Sequence, residues 1–168
     1  MRLWTERDHQ RRPLRELPEI KRLDLAETIL SLKAAGVGDL KTFRWIEPPD
    51  PAALDRAAFL LRDLGALDAA GAITAVGRRM LNFPLHPRYA RMLLAAEELG
   101  CVRAAALIAA ITQTRSMLLK VDKRLEEERM EIFGGGTSDF LVLMRVFEWA
   151  RLRDFRMNEC RTLGIHSD

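Results

Sequence analysis

The sequence has few cysteines and only short apolar runs, and each of these features excludes a class of protein. Its 168 residues include two cysteines, Cys101 and Cys160. Their spacing fits neither a metal site nor a redox motif, and two cysteines are too few for the disulfide framework of a small secreted domain. The longest apolar run, residues 104–111, is far shorter than the roughly 20 residues that cross a bilayer. We therefore expect a cytoplasmic protein with free thiols and no membrane partner.

Lysine is also scarce, although cationic side chains are not. Lysine and arginine together number 27, against 24 aspartates and glutamates, and the formal net charge is only +3. The lysines are Lys21, Lys33, Lys41, Lys120 and Lys123. Because the planar fork of arginine suits phosphate and stacks on bases, this bias favours a nucleic-acid partner. A GC-rich genome would produce the same richness in arginine and alanine, so both explanations stay open.

No catalytic or cofactor motif is apparent. The glycine-rich residues 134–138 lack the lysine of a phosphate-binding loop, which favours a linker. His9, His86 and His166 are scattered, and helix capping or surface exposure is the expected role of His86. The three glutamates at 126–128 favour a solvated helix face. We therefore expect no catalytic residue, no metal site and no cofactor in this chain.

What the sequence does contain is a hairpin between helices, followed by two prolines. Residues 68–71 form a tight turn in which Gly71 can take a positive φ. Thr74 can then cap a short helix by accepting from a free backbone N–H. Pro84 and Pro87 end that helix and begin the next, because proline suits a first helical turn and not an interior. A hairpin placed between helices predicts a winged-helix module.

Apolar periodicity predicts helices on both sides of this hairpin. The first is expected over residues 24–35, with Asp24 and Glu27 as a capping pair, and the second after an Asp50 cap. The apolar stripe of the second helix is expected to be Leu54, Ala57, Ala58, Leu61 and Leu64. The short helix after the hairpin is expected over residues 75–83.

Further helices are expected in the second half of the chain. Residues 87–99 form an amphipathic helix, and residues 102–111 are so apolar that a buried central helix is predicted. Residues 117–133 form a charged helix, and a last long helix begins at Ser138 or Asp139. The charged helix has a thin apolar stripe of Val121, Leu125 and Ile132. Leu93 and Leu107 are expected to be core positions.

Residues 64–94 resemble a run that follows the motor core of DEAH-box helicases and their bacterial HrpA/HrpB-like relatives. The family reads L-G-A-L-D, then G-x-L-T-x-x-G-R-x-M-x-x-F-P-L-x-P-x-x-A-x-M-L-L. The matching segments here are residues 64–68, 71–74, 77–80 and 83–94. Residues 2–8 and 17–22 are similar to the family's segments just after the last motor motif, and residues 139–147 are similar to a later D-H-L-x-L-L segment.

The resemblance implies a mainly α-helical fold with two modules. Residues 1–23 would be a connector from a motor domain, residues 24–85 a winged-helix domain with a small β-hairpin, and residues 86–168 part of the helical bundle called the ratchet or helicase-associated domain. The implied function is an accessory part of an ATP-dependent RNA helicase, coupling the motor domains of the same chain to a grip on single-stranded RNA or DNA. ATP and magnesium would bind in the parent's motor domain, so this chain alone should be inactive.

Contact with nucleic acid is expected just after the apolar helix, where short polar side chains and one arginine can reach phosphate and sugar. The candidate residues are Thr112, Gln113, Thr114, Arg115 and Ser116. A plain helix end is the competing interpretation, and oligomeric state stays open.

The alternative function is a stand-alone winged-helix nucleic-acid-binding or scaffold module. A sequence-specific DNA reader is disfavoured because the helix before the hairpin lacks Asn and Gln, and its charges sum to zero. Those charges belong to Asp55, Arg56, Arg62 and Asp63.

Overall fold

A computed structural model of the protein describes residues 3–11, 16–135 and 138–166. In these ranges the chain is mainly α-helical, which confirms the predicted fold class. The helices there are α1 (Glu6–Arg11), α2 (Ala26–Ala34), α3 (Pro51–Asp63), α4 (Ala75–Met80), α5 (Pro87–Glu98), α6 (Val102–Gln113), α7 (Lys123–Phe133), α8 (Asp139–Arg151) and α9 (Met157–Thr162). Extended pairing in the described ranges is limited to two antiparallel bridges, Leu67 with Ile73 and Leu118 with Ile165.

The chain divides within α5 into two compact units, Met1–Arg91 and Met92–Asp168. None of the helices in the described ranges is long and apolar enough to cross a bilayer.

In the first unit, α2 packs against α3. The start of α3 is as predicted, since the Asp50 carboxylate accepts from the Ala52 N–H at 2.8 Å and Pro51 occupies the first turn. The start of α2 falls later than predicted, at Ala26, whose N–H binds the Asp24 carboxylate at 2.8 Å. The buried side chains of these two helices are Ala26, Ile29, Leu30, Leu54, Ala57 and Leu61. The predicted stripe of α3 is thus confirmed at three positions, while Ala58 and the following Leu64 are half-buried.

The hairpin that follows α3 is closed at its tip by backbone hydrogen bonds. Gly71 has a φ of 78° and its N–H donates to the Asp68 carbonyl at 3.0 Å. The Asp68 carboxylate accepts from the Ala72 N–H at 2.8 Å. Thr74 caps α4, because its hydroxyl oxygen accepts from the Gly77 N–H at 3.0 Å. The turn and the cap are therefore as predicted, but α4 ends at Met80 rather than at residue 83.

In the second unit, α8 packs against both α6 and α7. An apolar cluster is formed by Phe133, Val146, Ala150, Cys160, Leu163 and Ile165. The cluster draws on α7, α8, α9 and the residues just after α9. The core of this unit therefore depends on the C-terminal segment 157–165, for which the sequence pattern predicted no element.

The prediction that α6 is a buried central helix is wrong. Ala105 and Ala109 are buried, whereas Val102, Ala106 and Ala110 are exposed. Alanine is tolerated on both faces of a helix, so an alanine-rich run does not reveal how many faces are covered. The helix buries one stripe and leaves the rest of its surface open.

Two residues expected in the core also lie differently. Leu93 and Leu107 are half-buried, while Leu94 is buried. The buried face of α5 is thus offset by one residue from the expected one.

The structure also corrects the start of α7. Asp122 caps this helix by accepting from the Leu125 N–H at 2.9 Å, so α7 begins at Lys123 and not near residue 117. Residues 117–119 instead run beside residues 164–166, and Leu119 N–H donates to the Gly164 carbonyl at 2.9 Å. Ile132, expected in the apolar stripe, is exposed. In the first unit, α1 lies within residues 1–23, which were expected to be a connector.

Candidate nucleic-acid interface

The five predicted site residues lie at the end of α6 and in the turn that follows it, and they fall into two groups. Thr112 and Gln113 are still in the last turn of α6. The Thr112 hydroxyl donates to the Ala109 carbonyl at 2.9 Å, and the Gln113 amide nitrogen donates to the same oxygen at 3.1 Å. Side chains that bind their own helix are less available to a ligand, so these two are the weaker candidates.

Thr114, Arg115 and Ser116 follow the helix and are exposed. Thr114 N–H donates to the Ala110 carbonyl at 3.1 Å and ends α6. The Ser116 hydroxyl donates to the Leu118 carbonyl at 2.9 Å, which folds the turn back toward the next segment. In the described part of the chain, Arg115 has neither a hydrogen-bond nor an ion-pair partner. Its guanidinium is therefore available to bind an anion.

These three residues form one side of a cavity of about 420 Å³ in the second unit. Pockets of roughly 300–1,000 Å³ are typical of small-ligand sites. The residues that line it are Leu107, Ala110, Ile111, Thr114, Arg115, Ser116, Met117, Phe147, Phe155 and His166. Six of them are apolar, and the polar ones include a cation but no carboxylate. The cavity thus combines an apolar floor with a rim that suits an anion.

Two aromatic rings meet in this cavity. The ring centroids of Phe147 and Phe155 are 5.6 Å apart with an interplanar angle of 60°. Phe155 has a φ of 50° and the preceding Asp154 a φ of 53°. For residues with a side chain, such left-handed backbone costs roughly 1–2 kcal/mol each. It persists only where the surroundings hold it in place.

The turn after α8 is held in this conformation by several contacts. The Phe155 N–H donates to the Ala150 carbonyl at 2.9 Å. The Arg153 guanidinium lies 4.0 Å from the centroid of the Trp149 ring and forms an ion pair with Glu159, with Nε 3.1 Å from a carboxylate oxygen. The Phe155 ring is therefore held at the cavity although 39% of the residue is exposed.

A buried arginine, Arg129 of α7, positions the two segments that close the cavity's far side. Its Nε donates to the Leu163 carbonyl at 2.6 Å, its Nη2 to the Gly164 carbonyl at 2.6 Å and its Nη1 to the Leu119 carbonyl at 3.0 Å. Burial lowers the pKa of Arg129, and the nearby Glu126 opposes that shift. The fork thereby fixes residues 117–119 against residues 163–166, which carry Met117 and His166 to the cavity.

Sequence reasoning missed Arg129 because the apolar stripe predicted for this helix did not include it. The signal was present, since Leu125, Arg129 and Phe133 are spaced by four residues and so share one helix face. Leu125 is half-buried and the other two are buried. The three glutamates at 126–128 are exposed, as predicted.

Other candidate groups form no site. No cluster of three or more His, Cys, Asp or Glu side chains that could hold a metal ion occurs in the described ranges. His86 acts as a capping group, with Nδ1 accepting from the Arg88 N–H at 3.3 Å and Nε2 3.5 Å from the Asp24 carboxylate.

Comparison with known families finds two adjacent matches within residues 57–161. Residues 57–85 match the helicase associated domain (HA2), winged-helix part, and residues 86–161 match the helicase associated domain (HA2), ratchet-like part. The chain belongs to the helicase-associated domain family. The predicted resemblance to the accessory region of DEAH-box RNA helicases is confirmed. All of the cavity residues except His166 fall in the ratchet-like part of this helicase-associated chain.

Two curated relatives show the same relationship over nearly the whole helicase-associated chain. It is 34% identical over 162 residues to the pre-mRNA-splicing factor ATP-dependent RNA helicase prp22 of Schizosaccharomyces pombe, covering 95% of this chain and 13% of that protein. It is 34% identical over 156 residues to the ATP-dependent RNA helicase HrpA of Escherichia coli, covering 89% of this chain and 12% of that protein. The chain therefore spans about an eighth of the length of these relatives.

Proposed function

We propose that the chain acts as an accessory region of an ATP-dependent RNA helicase. In this proposal the winged-helix part connects the motor domains of the same parent chain to the ratchet-like part, which grips single-stranded nucleic acid during unwinding. The order of the two matched parts and the 34% identity to two RNA helicases support it. ATP and magnesium would bind to the motor domains. A cytoplasmic location is part of the proposal, because Cys101 and Cys160 are both unpaired.

The grip is assigned to the exposed turn after α6, and chiefly to Arg115. This single observation carries the residue-level proposal: a guanidinium without a partner among the described residues lies at a cavity rim whose lining residues include no carboxylate. An arginine fork forms two parallel hydrogen bonds with a phosphate, which positions a strand without reading its bases. Thr114 lies beside it, and its hydroxyl can add a contact. Ser116, Thr112 and Gln113 take a smaller part, since their donors already bind backbone carbonyls.

Fluorescence anisotropy of a labelled single-stranded RNA tests this proposal. The chain should bind weakly, since the motor domains that would hold the strand from the other side are missing. Binding should fall with salt, because each phosphate contact releases counterions. Arg115→Ala should weaken binding to every sequence alike and reduce the slope of log affinity against log salt by about 0.7.

The matched control is Arg124→Ala, which removes the same charge from an exposed position on α7 that does not line the cavity. It should bind RNA nearly as well as the parent chain. Equal losses in both variants would reduce the effect to net charge and remove Arg115 from the site. Tight binding to one duplex DNA sequence would instead favour the stand-alone winged-helix module, and no binding at high micromolar protein would favour a scaffold.

A further inference from the structure

We propose that the cavity lined by Phe147 and Phe155 is a pocket for an unstacked nucleobase of the strand whose phosphate binds Arg115. This inference rests on the proposed grip on single-stranded nucleic acid, and it adds a second kind of contact to it. The strand would be held by its backbone at the rim and by one base inside the cavity.

The cavity and a nucleotide match in their chemistry. A nucleotide has a flat apolar face, polar edges and an anionic phosphate. The cavity has an apolar floor that includes Leu107 and Ile111, a polar rim that includes Ser116 and His166, and the guanidinium of Arg115. Its volume of about 420 Å³ lies in the usual range for a small ligand. An apolar protein segment bound there would leave the Arg115 cation at the rim without a partner.

The Phe155 ring is partly exposed and yet fixed in position. This ring is 39% exposed, although its backbone is held at a positive φ that a bulky side chain rarely adopts. Strain of this kind concentrates at ligand sites, where it keeps a group ready for contact. The contacts of Arg153 with Trp149 and Glu159 hold the same turn. A base entering the cavity would meet an aromatic edge or face that needs no rearrangement.

Base stacking on aromatic rings is tolerant of sequence, because every base has a π face. A pocket of this kind therefore agrees with a helicase-type grip that must pass along any strand. The ring pair in the cavity differs from the paired Phe133 and Trp149 rings, of which Phe133 is buried in the core.

The experiment compares two strands that carry the same phosphate charge. One is a labelled short oligouridylate, and the other is an abasic ribose-phosphate strand of equal length. The chain should bind the strand with bases about tenfold more tightly, in keeping with stacking of one base on an aromatic ring. Phe155→Leu should abolish this preference while leaving affinity for the abasic strand unchanged. Fluorescence of 2-aminopurine placed in the strand should be quenched by the parent chain and not by this variant.

Phe140→Leu is the matched control. Phe140 is also 39% exposed, but it does not line the cavity, so its variant should keep the preference for bases. If Phe155→Leu melts well below the parent chain, Ala110→Leu replaces it. Ala110 is an exposed lining residue on α6, and a leucine there narrows the cavity without adding an aromatic ring or altering the turn after α8.

The outcomes separate this inference from the proposed function. Equal affinity of the parent chain for both strands removes the base pocket and leaves the phosphate grip standing. Failure to bind either strand overturns both. Retention of the preference in Phe155→Leu or in Ala110→Leu also overturns the pocket. The cavity is assigned to a protein segment instead if the parent chain self-associates and shows no preference for bases, and if Phe155→Leu prevents that self-association.

Discussion

Gly71 closes the hairpin with a φ of 78°, a backbone conformation that an alanine adopts only at a cost. A Cβ atom on Gly71 would meet only the Lys33 ammonium, at 3.8 Å, so sterics add nothing further. We expect Gly71→Ala to lower the free energy of unfolding by about 1 kcal/mol, measured by urea denaturation. Gly38→Ala is the control, since Gly38 has no positive φ and a Cβ there meets no atom within 4 Å. Equal stability of the two variants would mean that the turn is assigned wrongly.

Gly77 is constrained for a different reason, namely the close approach of two backbone segments. It lies in α4, where alanine normally stabilises a helix by about 1 kcal/mol relative to glycine. Here a Cβ atom would collide with the Ala66 carbonyl oxygen and lie 2.9 Å from a side-chain carbon of Ile73. We therefore expect Gly77→Ala to destabilise the chain by about 2 kcal/mol, more than Gly71→Ala does. A stability equal to or above that of the parent chain in the same denaturation series would refute this close approach.

At the scale of the secondary-structure elements, α7 carries a buried side chain, Arg129, that binds two other segments. Replacing Arg129 with methionine leaves the Leu119 and Leu163 carbonyls without their donor, while the Gly164 carbonyl keeps the Leu119 N–H. Unpaired buried acceptors cost about 1–3 kcal/mol each, reduced where water can enter. We expect a loss of about 3 kcal/mol in the free energy of unfolding, measured by chemical denaturation. Arg129→Lys should recover only part of it, because an ammonium group cannot reproduce the planar fork.

The control for that prediction is Arg124→Met on the same helix. Arg124 is exposed, so its replacement should change stability by less than about 0.5 kcal/mol. A loss of the same size in both variants would show that the effect comes from charge or helix propensity and not from the buried fork.

The predictability of each element followed from how local its determinants are. The cap of α3, the hairpin turn and the cap of α4 depend on Asp50, Gly71 and Thr74, and the capping or turn contact of each is with a residue within four positions. Contacts between residues so close in sequence can be predicted from the sequence alone. The start of α7 was misplaced because the apolar residues just before it pair with a segment more than forty residues later, as Leu118 does with Ile165.

The candidate site shows the same distinction. The turn that contains Arg115 was found from its composition, because a polar segment after an apolar helix is a local pattern. The cavity was not, since its aromatic side comes from α8 and the turn after it. Asp154 and Phe155 have positive φ values, but neither is a glycine, so the sequence does not indicate this backbone conformation. The domain boundaries and the five site residues stay predictions, while the helicase-associated family and the mainly helical fold are confirmed.

At the scale of the whole chain, the proposed function treats the two units as consecutive parts of a longer helicase. The first unit includes the hairpin and α4, and the second contains the cavity. The chain spans 12–13% of the two relatives, and in the proposed function the ATP-binding motor domains lie outside it. The proposal thus divides the work, with the energy source in the motor domains and a strand contact here.

The division of work leads to the last prediction, that this chain alone does not hydrolyse ATP. A phosphate-binding loop needs successive backbone N–H groups at a helix start and a lysine that reaches the phosphates. The glycine-rich residues 134–138 contain no lysine. Gly134 ends α7 with a φ of 70°, and the nearby Arg145 guanidinium already donates to the Phe133 carbonyl at 2.6 Å. We expect phosphate release at the buffer background, with or without single-stranded RNA, in a steady-state assay. Release that coelutes with the chain on size exclusion, scales with its concentration and rises with RNA would contradict the proposal that ATP binds elsewhere.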